Sequence, residues 1–321
     1  MIEKLQRAMV AATVLAALAW LAWARGAGLG IGAQLAGSLL ALLPQAPLLA
    51  LEFLLLAAVG RDSAVPRASG WALLRAWAGE VLASWQVFNW RQPFFARREP
   101  DLPARPGQTA VLLVHGYFCN RAIWSPWVRR LRAQRVPCTA LTLEPAFGRI
   151  EDWVPLIERA VAELQRASGR PPLVVAHSMG GLAVRAWLAS QADAVAADQR
   201  VLRVITIATP HQGTWMARFG HSPNARQMRL GQAWLTALAA LESPARRALF
   251  TCFYGQADNI VFPASTATLA GARNLHLPAV AHVDMVMQPA VWAELQTCLA
   301  AAPAQRLRGN RMHPRRGGQG P

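Results

Sequence analysis

A serine in the middle of the chain lies where a short apolar run gives way to a helical pattern. Ser178 belongs to the segment AHSMGG at 176–181, directly after the apolar run 173–176. A sharp strand-to-helix turn needs small residues two positions before and after the serine, because backbone segments approach each other there. Ala176 and Gly180 are small. We therefore predict that Ser178 is a nucleophile at a helix N-terminus, where free N–H groups stabilise negative charge. For this motif alone, an ordinary turn with a capping serine is the alternative.

Two later residues have the types and the order of an acid and a base that would activate this serine. Asp258 follows the apolar run 249–254, and His282 follows the run 273–277. The carboxyl ends of parallel strands gather catalytic groups at one edge of a sheet. The order predicts a triad in which His282 deprotonates Ser178 while Asp258 orients and stabilises the imidazolium. The chemistry would be acyl transfer, with water cleaving the acyl-enzyme.

A strand that ends in a His-Gly pair could supply stabilisation for the negative charge that forms during such a reaction. The apolar run VLLV ends in His115 and Gly116. We predict that the backbone N–H groups of Tyr117 and Met179 form an oxyanion hole, where each donor typically contributes about 2.7–4 kcal/mol. His115 is expected to fix the loop, and the substrate-binding residues are predicted to be His115, Gly116 and Phe118.

The elements that must position these residues alternate between short apolar runs and helical patterns. This alternation from residue 109 onward predicts an α/β fold with a mostly parallel sheet. The region 211–247 contains no strand pattern and is expected to be a cap or lid. The predicted strands are 110–114, 138–143, 173–176, 201–208, 249–254 and 273–277, with helices near 124–134, 151–167, 180–190 and 291–301.

With these motifs, residues 109–301 resemble the lipase and esterase branch of the α/β hydrolases, especially bacterial lipases. The resemblance rests on HG at 115–116, AHSMGG at 176–181 and TPHQGT at 209–214. It implies an α/β-hydrolase fold and hydrolysis of carboxylic esters, often of acylglycerols, without a cofactor. Some related lipases carry a structural calcium near the catalytic histidine, and Asp284 and Gln288 stand where two ligands would lie. No second acid upstream matches that site.

The resemblance leaves the substrate and the chemistry open. We expect a lipid or acyl ester, with an acyl pocket under the region 211–247. The same scaffold also supports thioesterases, amidases and acyltransferases. A non-catalytic, membrane-bound hydrolase-like protein is a further alternative. The side chains expected to line the pocket are Trp215, Met216, Phe219, Trp234 and Leu235.

An apolar excess at the front of the chain indicates a membrane anchor. Hydrophobic residues make up 54% of the chain and charged residues 16%, against roughly 25% charged in typical globular proteins. Residues 8–24 carry no charge, and a second apolar run covers 33–59. We favour a two-helix membrane hairpin within 1–65. A cleaved signal peptide, ending in the small-x-small pattern at 22–24, and a pair of buried core helices are the alternatives.

The charged and aromatic residues outside the two apolar runs predict how the chain is oriented at the membrane. Arginines outside the two apolar runs predict cytoplasmic termini and a cytoplasmic catalytic domain on the inner or cell membrane. Residues 66–106 combine aromatic and basic side chains, which suits a membrane interface or packing on the catalytic domain. That domain is expected at 107–302, followed by a disordered basic tail at 303–321. The net charge of +16 comes with no nucleic-acid-binding motif, and no obligate protein partner is expected.

Overall fold

A layer of helices precedes the sheet. The computed structural model describes residues 1–62, 65–191 and 193–311. A π-helical turn, Trp85–Arg91, joins the fourth and fifth helices of this layer. The helices are α1 (Ile2–Gly26), α2 (Ile31–Leu42), α3 (Gln45–Val59), α4 (Gly70–Ser84) and α5 (Gln92–Phe95).

All six apolar runs expected as strands form one parallel sheet. They are β1 (Val111–Val114), β2 (Cys138–Ala140), β3 (Leu173–His177), β4 (Arg203–Ile207), β5 (Phe250–Tyr254) and β6 (Arg273–His276). The order across the sheet is β2-β1-β3-β4-β5-β6. The central strands are buried on both faces, as runs of Val, Ile and Leu in parallel sheets usually are. The predicted α/β-hydrolase fold is thereby confirmed.

Helices cover both faces of this sheet and form most of the region between β4 and β5. Within the described residues, the region 211–247 contains short helices and no strand, in agreement with the sequence pattern. The helices are α6 (Ser125–Ala133), α7 (Val154–Ser168), α8 (Met179–Ala189), α9 (Ala194–Asp198), α10 (Pro223–Gln227), α11 (Ala233–Ala240), α12 (Pro244–Arg247) and α13 (Pro289–Arg311).

The second apolar run, 33–59, carries two prolines and is broken into two helices. It forms α2 and α3, which are bent by 67° at the intervening break. Pro44 stands at this break, where it lacks an N–H donor and disfavours a continuous helix. Within the described residues, α1 alone is long and apolar enough to cross a membrane, and α2 with α3 would do so only as a bent pair.

Helix α3 packs on the hydrolase domain. Phe53 and Leu56 are buried in a cluster with Phe262, which lies in the loop after β5. By contrast, α1 and α2 contact each other, with Trp20 Nε1 donating to the Ala33 carbonyl (3.2 Å). The first apolar segments therefore divide into α1 and α2, which pack on each other, and α3, which packs on this cluster of the hydrolase domain.

The aromatic segment 66–106 packs only in part on the rest of the protein. Trp77 Nε1 donates to the Ala46 carbonyl (3.0 Å), and Phe88 packs on the hydrolase core. Trp71 and Trp90 are exposed. Part of the segment is thus core, and part presents aromatic surface.

The C-terminal helix is longer than expected. The backbone of α13 continues to Arg311, although the sequence pattern predicted its end near Ala301 and a disordered tail from 303. The extension includes Pro303 and Gly309, which disfavour a helix interior, so the composition of this stretch does not explain it. The rest of the predicted tail, 312–321, lies outside the described residues.

Candidate active site

The backbone around Ser178 makes the sharp turn that the sequence predicts. Ser178 joins β3 to α8 with φ 53° and ψ −129°, a conformation that non-glycine residues rarely adopt. An added Cβ at Gly180 would lie 2.5 Å from the His115 carbonyl oxygen, closer than any side chain allows. Because α8 packs so closely on the end of β1, the position two residues after the serine requires glycine.

Ser178, His282 and Asp258 form a continuous hydrogen-bonded chain. His282 Nε2 lies 3.0 Å from Ser178 Oγ, and His282 Nδ1 lies 3.0 and 3.1 Å from the two oxygens of Asp258. All three residues are buried. The backbone N–H groups of Ile260 (2.9 Å) and Val261 (2.8 Å) donate to Asp258 Oδ1 and hold the carboxylate in place.

The surroundings of His282 favour its protonated form. Burial alone lowers the pKa of His282, but the charge of Asp258 and its hydrogen bond to the ring raise it. The negative charges of Glu80 and Glu52 act in the same direction, and the pKa of His282 lies above its ordinary value of 6.5. A base of this kind holds a proton well once it has taken one from a neighbouring hydroxyl.

The residues predicted to form an oxyanion hole, Tyr117 and Met179, belong to segments that adjoin the serine. Met179 begins α8, so its N–H lies in the first turn and has no acceptor within the helix. Gly116, which precedes Tyr117, packs so closely on Ser178 that an added Cβ would lie 2.7 Å from Ser178 Cβ. The two segments that carry the expected donors are thus both adjacent to Ser178.

The three predicted substrate-binding residues have different surroundings. Phe118 lines the active-site cavity. Gly116 contacts Ser178, as described above, while the ring of His115 accepts a hydrogen bond from the Leu143 N–H (2.9 Å). Burial lowers the pKa of His115 to about 4. His115 therefore connects two loops as a neutral ring and does not line the cavity.

The TPHQGT segment connects the nucleophile turn to the loop of the acid. Thr209 Oγ1 donates to the Ser178 carbonyl (2.8 Å). The threonine side chain packs directly on Gly181, where an added Cβ would lie 2.2 Å from Thr209 Oγ1. At the other end of the segment, Thr214 Oγ1 donates to the carbonyl of Ile260. The motif thus contacts the loops that carry both Ser178 and Asp258.

Two carboxylates of the N-terminal helices reach the catalytic loops, which the sequence analysis did not anticipate. Glu80 of α4 accepts from the N–H groups of Val283 and Asp284, each at 3.0 Å. Glu52 of α3 accepts from Asn259 Nδ2 at 2.6 Å. Each glutamate is the sole acid of an apolar helix, and acids in such places are rarely buried without partners. That pattern is the sequence signal for these contacts.

A cavity of about 560 Å³ opens above the serine. We call it the active-site cavity; Ser178 and His282 lie in its wall, and its surface is mainly apolar. The region 211–247 contributes Met216 and Phe219, as expected, but Trp215, Trp234 and Leu235 do not line it. Trp215 stacks on Phe262 (5.7 Å between ring centres). The opposite wall comes from α3 and α4, so the cavity lies between the predicted cap and the N-terminal helices.

The candidate calcium residues lie beside the histidine loop. Gln288 Nε2 donates to the Asp284 backbone carbonyl (3.4 Å). In the described part of the chain, no group of three or more His, Cys, Asp and Glu side chains is placed to hold a metal ion. Asp284 and Gln288 alone provide fewer oxygens than the six to eight that calcium takes.

Comparison with known proteins agrees with this fold. The alpha/beta hydrolase family matches residues 111–315, more than half of the chain, and the protein belongs to that family. No curated protein matches the sequence. Among solved structures, the mature lipase BlEst2 of Bacillus licheniformis is similar at 17% identity and a TM-score of 0.53, covering 62% of this chain and 95% of its own. Lipase B of Aspergillus fumigatus is similar at 20% identity and a TM-score of 0.50, covering 58% and 51%.

Proposed function

We propose that this protein is a membrane-associated serine hydrolase that cleaves carboxylic esters of lipids through an acyl-enzyme on Ser178. The observation that carries the proposal is the chain Asp258–His282–Ser178, with distances of 3.0 Å at both contacts, in the wall of an apolar cavity. In this scheme the cavity holds the acyl chain, and the hydroxyl faces its carbonyl carbon. The two similar lipases are consistent with this class of reaction.

The reaction proceeds in two acyl transfers. His282 Nε2 removes the proton of Ser178 as its oxygen bonds to the acyl carbon, and the N–H groups of Tyr117 and Met179 stabilise the oxyanion. The protonated His282 then gives this proton to the departing alcohol oxygen. Water, deprotonated by His282, attacks the acyl-enzyme and releases the carboxylic acid, and the proton returns to Ser178. Asp258 keeps the ring in the required orientation throughout.

Membrane association rests on the N-terminal helices. Large apolar side chains are exposed on α1 and α2, including Leu15 (66%) and Ile31 (75%), and such surface favours lipid over water. The start of α1 returns to the hydrolase domain, where Gln6 Nε2 donates to the carbonyl of Phe118 (3.1 Å). This contact favours a retained anchor over a cleaved signal peptide. It also favours a catalytic domain on the side of the N-terminus, for which we propose the cytoplasmic face of the cell membrane.

The test is hydrolysis of p-nitrophenyl esters from acetyl to palmitoyl by detergent-solubilised protein, alongside Ser178→Ala. We expect turnover that disappears in Ser178→Ala and rises with chain length. Labelling by a fluorophosphonate should likewise require Ser178. As a matched control, Ser190→Ala changes a serine at the far end of α8, outside the site, and should keep full turnover. Equal turnover by wild type and Ser178→Ala would contradict the proposal, as would wild-type protein that neither turns over nor labels.

A further inference from the structure

A second apolar hollow adjoins the active-site cavity. It has a volume of about 320 Å³, and we call it the outer cavity. Met9, Val10 and Thr13 of α1 form one of its walls. The residues shared with the active-site cavity are Gln45, Leu48, Ser84, Phe88 and Phe118. The same five side chains therefore line both cavities. The outer cavity also lies against α1, the helix that we propose to be in the membrane.

One polar group at this junction lacks a partner. Gln45 Nε2 is buried and forms no hydrogen bond with any of the described residues. Gln45 is the first residue of α3 and lines both hollows. A buried N–H donor without an acceptor is unfavourable, and such groups in proteins usually find a partner. An oxygen of a bound molecule at the junction would satisfy it.

This donor discriminates between two kinds of lipid. A single hydrocarbon chain that ran from one hollow into the other would bring only methylene groups to Gln45 and leave Nε2 unsatisfied. A lipid with two ester-linked chains branches close to its ester groups, and the carbonyl of the second ester is a hydrogen-bond acceptor. The branch point and the polar junction therefore match in chemistry, and the two apolar hollows match the two chains.

We propose that the substrate is a glycerolipid with two acyl chains. The chain to be released occupies the active-site cavity with its ester at Ser178. The second chain occupies the outer cavity, and its ester carbonyl accepts from Gln45 Nε2. This inference rests on the proposed function, since it assigns the substrate of the same serine. The inference also assigns substrate selection to α1 and α3, which precede the residues matched by the family, 111–315.

The experiment compares the release of palmitate from two-chain and one-chain lipids in mixed detergent micelles, using the full chain. The pairs are dipalmitoylglycerol with monopalmitoylglycerol, and dipalmitoylphosphatidylcholine with its lyso form. We expect the wild type to prefer the two-chain member of at least one pair. The readout is the ratio of the two rates, because a general loss of active protein cancels in it.

Variants at the junction should change that ratio. Gln45→Leu keeps the size of the side chain without its donor and should lower the ratio about tenfold, the effect of one hydrogen bond. Val10→Trp should lower it by filling the outer cavity. Gln34→Leu and Val14→Trp are matched controls, because Gln34 donates to the Leu29 carbonyl outside both hollows and Val14 is exposed. Both controls should keep the wild-type ratio.

The outcomes separate this inference from the proposed function. An unchanged ratio in both Gln45→Leu and Val10→Trp would overturn the two-chain assignment, as would a wild-type preference for the one-chain lipid in both pairs. Hydrolysis of p-nitrophenyl esters without attack on any two-chain lipid would also overturn it while leaving the esterase proposal intact. If Gln45→Leu does not fold, Gln45→Glu, which exchanges the donor for an acceptor, should give the same lowered ratio.

Discussion

Replacement of Glu80 by glutamine should remove a pH dependence from the stability of the folded protein. The carboxylate of Glu80 is completely buried against the histidine loop, and burial raises the pKa of Glu80 from 4.5 to about 7. Hydrogen bonds from Asp284 and Val283 and the charge of His282 oppose this rise, while the charge of Asp258 adds to it. Folding therefore favours the protonated acid at intermediate pH.

The magnitude follows from the two pKa values. An acid whose pKa is raised on folding contributes stability that is present below the unfolded value and lost as pH rises through the folded value. The rise from 4.5 to about 7 corresponds to about 3 kcal/mol, at roughly 1.36 kcal/mol for each pH unit. Between about pH 4.5 and pH 7 the wild type should lose this amount relative to Glu80→Gln, which cannot ionise.

Urea unfolding followed by tryptophan fluorescence in a fixed detergent, at pH 5 and pH 8, measures the difference. The free energy of unfolding of Glu80→Gln relative to wild type should increase by roughly 2 to 3 kcal/mol between these values, because a small part of the effect is already lost at pH 5. Glu163→Gln, at an exposed position of α7, is the matched control and should show no such increase. A difference between wild type and Glu80→Gln that is the same at both pH values would refute the reasoning.

Further substitutions test the other contacts of the site. Asp258→Asn should lower kcat by about 10⁴-fold with little change in KM, as loss of the orienting acid does in other triads, and steady-state kinetics would show it. Because the pKa of His282 is raised, kcat/KM should fall on the acid side with a midpoint above pH 6.5; a midpoint below that value would contradict the assigned base. Gly180→Ala should abolish fluorophosphonate labelling, since its Cβ would meet a backbone oxygen at 2.5 Å; normal labelling would show that the turn tolerates it. Arg185 donates to both oxygens of Glu242 (2.6 and 2.9 Å), and both side chains are buried. Arg185→Met should cost about 3–5 kcal/mol in thermal or urea unfolding, because Glu242 would lose these hydrogen bonds and keep the longer contact with Arg247 Nε (3.4 Å). Adding Glu242→Leu should recover part of that loss.

The parts of the fold that depend on local patterns could be predicted from the sequence. Five of the six strands lie in apolar runs that are recognisable within a few residues, whereas β6, with the sequence RNLH, is mostly polar and exposed. The alternation of such runs with helices predicts a parallel sheet. The positions of Ser178, Asp258 and His282 after their strands follow from that sheet, and the structure brings them into contact. Their catalytic roles stay predictions.

The docking of the N-terminal helices could not be predicted in the same way. A helix that is apolar on all sides suits lipid and a protein interior equally well, so the composition of α3 does not decide between them. Its contact with Asn259 joins residues 207 positions apart, and that of Glu80 with Val283 joins residues 203 apart. Contacts between residues so far apart in the sequence depend on tertiary packing. A local sequence pattern does not identify the partner residue.

The contact of Gln6 with the hydrolase domain makes α1 part of the folded domain. Gln92 is fully buried, and its side-chain oxygen accepts from Gln6 Nε2 (2.8 Å) and from the Asn120 N–H (3.2 Å). The chain that leads from α1 to the loop after β1 is therefore one polar network inside the protein. A helix that served only as a membrane anchor could be replaced by another apolar helix. Because α1 supplies Gln6 to the protein interior, replacing α1 would also remove these buried hydrogen bonds. A change in α1 should therefore alter the contacts beside the active site as well as the proposed attachment to the membrane.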